Sequence, residues 1–372
     1  MYELAKGLEE TTFYLNMGPQ HPSTHGVLRI VLRLDGEYVV EAEPVLGYIH
    51  RMQEKMAENR NYIQFLPNLG RLDYLSAMLY NHGYCGAVEK LMQIEVPPRA
   101  EYIRVITAEL SRISSHLLWA GAYLMDLGAF TPFLYAFDDR ENLLDLLENV
   151  CGSRLTYCYF RFGGVCNDVS PEFLKGTEKF VHRLRSRIPM YHDLVTGNVI
   201  FVHRTKGVGV ISQDCCKRFG ASGPVARGSG IKHDVRKNEP YSIYDQFSFE
   251  IPVGTGSGDA LDRYHVRMAE IEQSLNIIEQ ALSRIPEGPV KSKLPKKLKP
   301  PVGDVYFAVE TARGEFGTYI VSDGSDVPYR IKLRTPSYSN LSLLPEILPG
   351  TMMADTVSIL GSVDVVIPEI DR

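Results

Sequence analysis

Two histidines, His21 and His25, stand four residues apart in the turn-forming stretch Gly18-Pro19-Gln20-His21-Pro22-Ser23-Thr24-His25-Gly26. Imidazole changes charge near neutral pH, so such a loop can hand a proton to a bound, reduced substrate. Two other readings stay open. Ser23 and Thr24 suit a turn whose side chains cap their own backbone. A zinc site is the third, although Pro22 opposes two ligands on one helical face and no Cys or Glu partner is evident. A second constellation is Arg71-Leu72-Asp73-Tyr74, where i, i+3 spacing places Arg71 and Tyr74 on one face of a helix. A phenol can hydrogen-bond a carbonyl oxygen and give it a proton. The plainer alternative is a helix start with a core tyrosine. Asp126 is the third candidate. It sits in the apolar run Tyr123-Leu124-Met125-Asp126-Leu127-Gly128-Ala129-Phe130, where a carboxylate must be paired or hold its proton more tightly than usual. It can orient a histidine and stabilise its charged form, or bond nearby backbone ahead of Gly128.

Other sites carry less. Gly254-Thr255-Gly256-Ser257-Gly258 precedes a helix but lacks the dinucleotide fingerprint and a βαβ frame. The Lys291 to Lys299 cluster reads as a solvated linker. His182, His192, His203, His233 and His265 have no partners by spacing and read as surface or packing residues. The six cysteines include no Cys-x-x-Cys pair, which fits a reducing compartment better than a disulfide framework.

The elements that must hold these groups follow from periodicity. Residues 13–45 read as strands, with Val27 to Leu34 partly alternating and Asp35-Gly36 forming a hairpin turn. Helical patterns cover 68–92, 138–150, 171–194 and 259–285. A long helix follows Pro97-Pro98, with apolar positions Ile103, Ile106, Leu110, Ile113, Leu117 and Leu124. A Gly-rich irregular region spans 203–258, and a Lys/Pro linker runs from Arg284 to Pro301. Strands are predicted at Val305 to Val309 and Tyr319 to Val321. The fold class is therefore α+β: a small N-terminal β-sheet region with the His21–His25 loop (1–65), a large helical body (66–300) and a C-terminal strand-containing α/β segment (301–372).

The net charge of −5 over 372 residues shows no basic bias, so nucleic acid is not an expected partner. The first residues lack the layout of a secretory signal. Ile113 to Phe130 comes nearest to a membrane span, but Ser114, Ser115, His116 and Asp126 make it read as a buried helix.

Beside the His21–His25 loop stand Gly47-Tyr48-Ile49-His50-Arg51 with Glu54-Lys55, Pro97-Pro98-Arg99-Ala100-Glu101, Arg161-Phe162-Gly163-Gly164-Val165 and Ile370-Asp371-Arg372. With Arg71–Tyr74 and Asp126–Ala129, and in this order, they resemble the 49-kDa subunit family of complex I, the D subunits of NADH-quinone oxidoreductases. The resemblance runs from about Asn16 to Arg372.

The resemblance implies a fold like the large subunit of nickel–iron hydrogenases. It implies that His25 and Tyr74 contact a quinone head group, that Asp126 partners His25, and that His21, Ser23 and Thr24 belong to the same quinone-binding loop. Arg51, with His50, Arg71 and Thr156 nearby, would lie beside a 4Fe-4S cluster held by a neighbouring iron–sulfur protein, the B subunit of such complexes. Further implied partners are subunits C and I and membrane subunits H and A. The implied function is a core subunit of a proton-translocating NAD(P)H or ferredoxin:quinone oxidoreductase, not active alone. It would sit peripherally on the cytoplasmic side of the membrane, if prokaryotic. Electron donor and quinone type are not encoded in this chain. A scaffold linking soluble and membrane arms is the alternative. A hydrogenase-like subunit is the other, but its metal needs thiolates, and the matching stretches Arg71 to Leu75 and Asp364 to Pro368 hold no cysteine. No metal is therefore expected in this chain. Two departures stand out: Met52 where the family usually has glycine, and Thr156 where many members have histidine.

Overall fold

The computed structural model describes residues 12–21 and 27–372. Strict alternation builds the first sheet. In β2 (Arg29–Asp35), Ile30, Leu32 and Leu34 are buried while their neighbours face outward. β1 (Phe13–Met17) and β3 (Tyr38–Val45) flank it, both antiparallel. Asp35 pairs with Tyr38, so the hairpin loop has two residues, and Gly36 takes the positive φ of 58° that the turn requires.

The chain then enters α1 (Gln53–Ala57), whose N-cap is Met52. Met52 lies in the left-handed region at φ 51°, ψ 42°, so this chain keeps a glycine-type backbone at a position occupied by a large side chain. The helix expected over 68–92 is in fact two: α2 (Tyr62–Leu69) and α3 (Ala77–Met92). The break has a local cause. The Asp73 carboxylate accepts from the backbone N–H of Leu75 at 3.1 Å and Ser76 at 3.3 Å, holding residues 70–76 as a turn. Arg71 and Tyr74 therefore share no helix face.

α4 (Pro98–Asp126) is the 29-residue axis of the body, with Pro98 in its first turn. α5 (Phe130–Cys151) begins eight residues before the expected 138, because Pro132 falls in its first turn, where no N–H is needed. A short antiparallel hairpin, β4 (Phe160–Arg161) and β5 (Gly164–Val165), precedes α6 (Pro171–Tyr191), which runs on into a π-helical turn, His192–Thr196. The Gly-rich region holds short helices: α7 (Val199–Thr205), α8 (Gln213–Phe219), α9 (Gly223–Gly228) and α10 (Val235–Asn238). α11 (Ala260–Arg284) packs on α4 and α9. Ahead of it, Thr255 Oγ1 and the Gly258 N–H both donate to Asp262, so a carboxylate occupies the place a phosphate would need.

The C-terminal sheet has the order β6 (Gly303–Glu310), β7 (Glu315–Ser322), β8 (Arg330–Arg334), all antiparallel. β8 escaped the pattern reading because three cations alternate with only two apolar residues, Ile331 and Leu333. After it come α12 (Pro336–Leu341), α13 (Leu344–Ile347), α14 (Met353–Val363) and α15 (Ile367–Asp371). No described helix is long and apolar enough to cross a membrane.

Two apolar cores result. The larger joins α2–α6 and α11 to β6–β8. The smaller joins Ile30, Leu32 and Leu34 of β2 to Leu344, Leu348, Ile359 and Leu360. α3 approaches the C-terminal sheet through glycines: a Cβ on Gly83 would stand 2.7 Å from the Phe316 ring, and one on Gly86 would enter the Phe307 ring.

Between α4, α11 and the β6–β7 hairpin lies a layer of buried charge. Arg227 donates to Glu270 and Glu310, both at 2.8 Å. His116 Nε2 lies 3.0 Å from Glu270. Glu109 meets Arg112 and Arg236 at 3.1 Å each, and Tyr244 and Ser274 both donate to it at 2.7 Å. Burial pushes the Glu109 carboxyl up, but Arg112 and Arg236 outweigh it and hold it at about 2. Such charges are tolerated only because each is met inside the protein.

Gly86→Ala should destabilise the full chain by about 1–3 kcal/mol, the usual cost of overpacking, read as a lower denaturant midpoint with unchanged slope. Met52→Gly should raise stability by about 1 kcal/mol, because removing roughly 1–2 kcal/mol of left-handed strain outweighs glycine's extra chain entropy. An unchanged midpoint would refute it.

Candidate functional site

Three elements meet around one cavity of about 150 Å³. The turn between α2 and α3 supplies Tyr74, the end of α4 supplies Asp126, and the segment after α14 supplies Asp364 to Pro368. Asp126 is the last helical residue of α4. Gly128, at φ 89°, lets the chain reverse there, with the Gly128 N–H on Met125 O at 2.9 Å and the Ala129 N–H on Leu124 O at 2.8 Å. Trp119 and Tyr123 stack at 5.3 Å on the cavity wall.

Tyr74 is placed by its neighbour. Asp73 is fully buried; it caps the turn, accepts from Ser76 Oγ and receives Arg313 Nη1 at 2.9 Å. Tyr74 itself is half-buried and lines the cavity. Its hydroxyl has no hydrogen-bond partner among the described residues, so it is free to meet an incoming acceptor. Burial raises its proton affinity above the ordinary tyrosine value; Asp73 and Asp364 add to this and Arg313 opposes it.

Tyr74 also lines a second recess of about 310 Å³, together with Arg51, Arg71, Thr156, Pro368 and Arg372. The loop carrying Arg51 is fastened from far along the chain. The Asp371 carboxylate accepts the N–H groups of Gly47 and Ile49, each at 2.9 Å. The Asp371 carbonyl accepts His50 Nδ1–H at 2.6 Å, and the Gln53 N–H reaches Arg372 O at 3.2 Å. His50 thus presents its other nitrogen away from that contact. Arg372 lies 4.9 Å over the Tyr338 ring and donates to Leu333 O at 2.9 Å. On the opposite wall Thr156 adopts φ 49°, unusual for a β-branched residue. Its segment is seated on Gly70, where a Cβ would stand 3.0 Å from Tyr157 O, and Asn81 donates to that same oxygen at 2.7 Å.

The structure thus brings Tyr74 and Asp126 to one cavity, and Arg51, Arg71 and Thr156 to the recess that shares Tyr74. His21 is half-buried, whereas Ser23, Thr24 and His25 lie outside the described residues. His192 bonds Thr196 at 2.9 Å and His233 lies 3.9 Å from Glu315, away from both recesses. Sequence reasoning passed over Arg313, Asp364 and the role of Asp371. Each acts across 51 to 324 residues of chain, so no local spacing reveals it. Among the described residues, no three His, Cys, Asp or Glu side chains converge to hold a metal ion.

Comparisons with known proteins agree on one family. The family model described as respiratory-chain NADH dehydrogenase, 49 Kd subunit, matches residues 126–300 and 293–372. A protein of Syntrophobacter fumaroxidans, named as the D subunit of NADH-quinone oxidoreductase, is 62% identical over 364 residues, covering 98% of this chain and 97% of that one. Proteins of the same name from Desulfotalea psychrophila and Bacillus cereus are 61% and 52% identical, covering 98% and 96% of this chain and 98% of each relative. With its α+β architecture and these near full-length matches, the chain belongs to the 49-kDa subunit family of respiratory-chain NADH dehydrogenase.

Proposed function

We propose that this chain is a core subunit of a proton-translocating, complex I-type quinone oxidoreductase, and that the Tyr74–Asp126 cavity is part of its quinone-reduction chamber. The observation that carries the reading is the placement of Tyr74 on the shared wall of two recesses, one reaching Asp126 and the other lined by Arg51, Arg71 and Arg372. A 4Fe-4S cluster held by a neighbouring subunit would supply electrons at the cationic recess. Arg51, Arg71 and Arg372 suit a negatively charged cluster there. Subunits C and I and membrane subunits H and A are the further partners this reading expects, with the assembly on the cytoplasmic face of its membrane.

Two protons must accompany two electrons in making a quinol. Tyr74 holds its proton firmly while the substrate is oxidised, and its hydroxyl is positioned to donate to a quinone oxygen as that oxygen gains charge. His25 is the second proposed donor, with Asp126 as the carboxylate that orients it and stabilises its charged form. Loss of the imidazole proton would change that pairing, and neighbouring membrane subunits can sense such a charge change.

Tyr74→Phe removes one hydroxyl and little volume. The complex should assemble and quinone reduction should fall by roughly 10²-fold; full activity in the assembled variant would refute the assignment. Thr156 generates a second prediction. An imidazole at this position would gain proton affinity when the cluster is reduced, linking electron uptake to proton uptake. Thr156 cannot ionise in that range. The cluster potential should therefore vary less with pH than in histidine-bearing relatives, and Thr156→His should steepen it. Histidine also tolerates the positive φ better than threonine. A redox titration over about pH 6 to 8 reads this; a full one-proton slope already present in the native complex, and unaltered by the substitution, would overturn it.

A further inference from the structure

The wall behind Tyr74 is built from charge. Arg313, whose side chain is fully buried, sits in the tight turn between β6 and β7, which the Thr311 N–H closes onto Gly314 O at 2.7 Å. Its Nη1 donates to Asp73 Oδ2 at 2.9 Å and Ser115 Oγ at 3.0 Å, and its Nη2 donates to Asp364 Oδ1 at 3.2 Å. Asp364 Oδ2 lies 3.9 Å from Arg267 Nε, and Arg267 lies 4.3 Å over the Trp119 ring. The group thus holds two guanidinium ions and two carboxylates, in balance. Arg313 and Asp364 both line the Tyr74 cavity. Arg313 Nε and Asp364 Oδ2 are buried without a hydrogen-bond partner among the described residues, so the bridge is incompletely satisfied on both its base and its acid.

Packing alone does not call for this arrangement, because a buried ion pair is no more stabilising than well-packed apolar side chains. Its effect falls on what stands in front of it. Other charged groups around Tyr74 are Asp126 at the end of α4 and, across the second recess, Arg51, Arg71 and Arg372. Glu369 of α15 is buried and faces Asp73. Of all these, Asp73, Arg313 and Asp364 are the ones whose charge acts on the Tyr74 phenol.

We propose that the Asp73–Arg313–Asp364 bridge is a charge-setting device for Tyr74, fixing how readily the phenol gives up its proton, and that Asp364 is its positioning residue. This rests on the reading of Tyr74 as a proton donor to quinone. When Tyr74 donates, the bridge faces a new phenolate. With two carboxylates to one guanidinium the bridge disfavours that anion, so the proton leaves only for a strongly basic, reduced acceptor oxygen, and the phenolate regains a proton from solvent water. Replacing one carboxylate by an amide leaves the bridge neutral, removes that penalty and so favours the phenolate.

Donation requires protonated Tyr74, so activity is lost as pH rises through its titration. Asp364→Asn keeps the shape and an oxygen for Arg313, and lowers that titration. In the assembled complex, quinone reduction followed from about pH 7 to 11.5 should lose activity on the alkaline side about one pH unit lower in Asp364→Asn than in the native enzyme. In Tyr74→Phe the substitution at 364 should produce no such displacement. If Asp364→Asn does not assemble, Asp73→Asn reads the same charge, since its amide oxygen can still accept from Leu75 and Ser76. An alkaline side that is unmoved, or that moves equally with Phe at 74, overturns the proposal while leaving Tyr74 a donor. Full activity of Tyr74→Phe itself overturns the underlying reading instead.

Discussion

A guanidinium removed from water must be met by fixed carboxylates, and much of this fold is arranged to meet Arg313. Its partners come from 240 positions earlier and 51 positions later in the chain, with Ser115 of the α4 axis between them. Four elements are thereby held to one point: the turn before α3, the middle of α4, the β6–β7 hairpin and the exit of α14. Tyr74 is carried on the first and Asp364 to Pro368 on the last. Each charge is costly alone and tolerable together, so the arrangement is all-or-none. Geometry at Tyr74 is therefore as rigid as the protein's interior, although the tyrosine itself is reached from outside.

The same logic explains how much was legible beforehand. Elements with a strong period could be read: α11 begins and ends within one residue of expectation, and the β2–β3 hairpin turns at Asp35-Gly36 as its sequence suggests. The break between α2 and α3 was not legible, because it is made by a side chain. Nothing in the order of residues says that Asp73 will cap its own turn instead of continuing a helix. β8 was missed because edge position, not apolarity, defines it.

For the site, motif resemblance named Tyr74, Asp126, Arg51 and Thr156, and the structure shows which of these share a wall. Resemblance gave no hint of Arg313 or of the Asp371 fastening, since a residue that acts by positioning another leaves no local pattern. Met52 is the converse case. A glycine-type backbone is held by a methionine, so here the surrounding contacts, including Gln53 on Arg372 O, dictate the path and the side chain follows.

The fastening of Gly47 and Ile49 by Asp371 spans 324 positions. At roughly 5–20 residues per second of synthesis, the loop bearing Arg51 waits about 16 to 65 s for the segment that seats it. The β1–β3 sheet has a similar dependence, since its buried face packs into a core with residues 211–225 and 341–370. These early strands thus lack most of their final cover until residues 341–370 have emerged. The surface formed by the Arg51 loop is consequently complete only once the Asp371 segment has been made, and this order is written into the chain's long-range contacts.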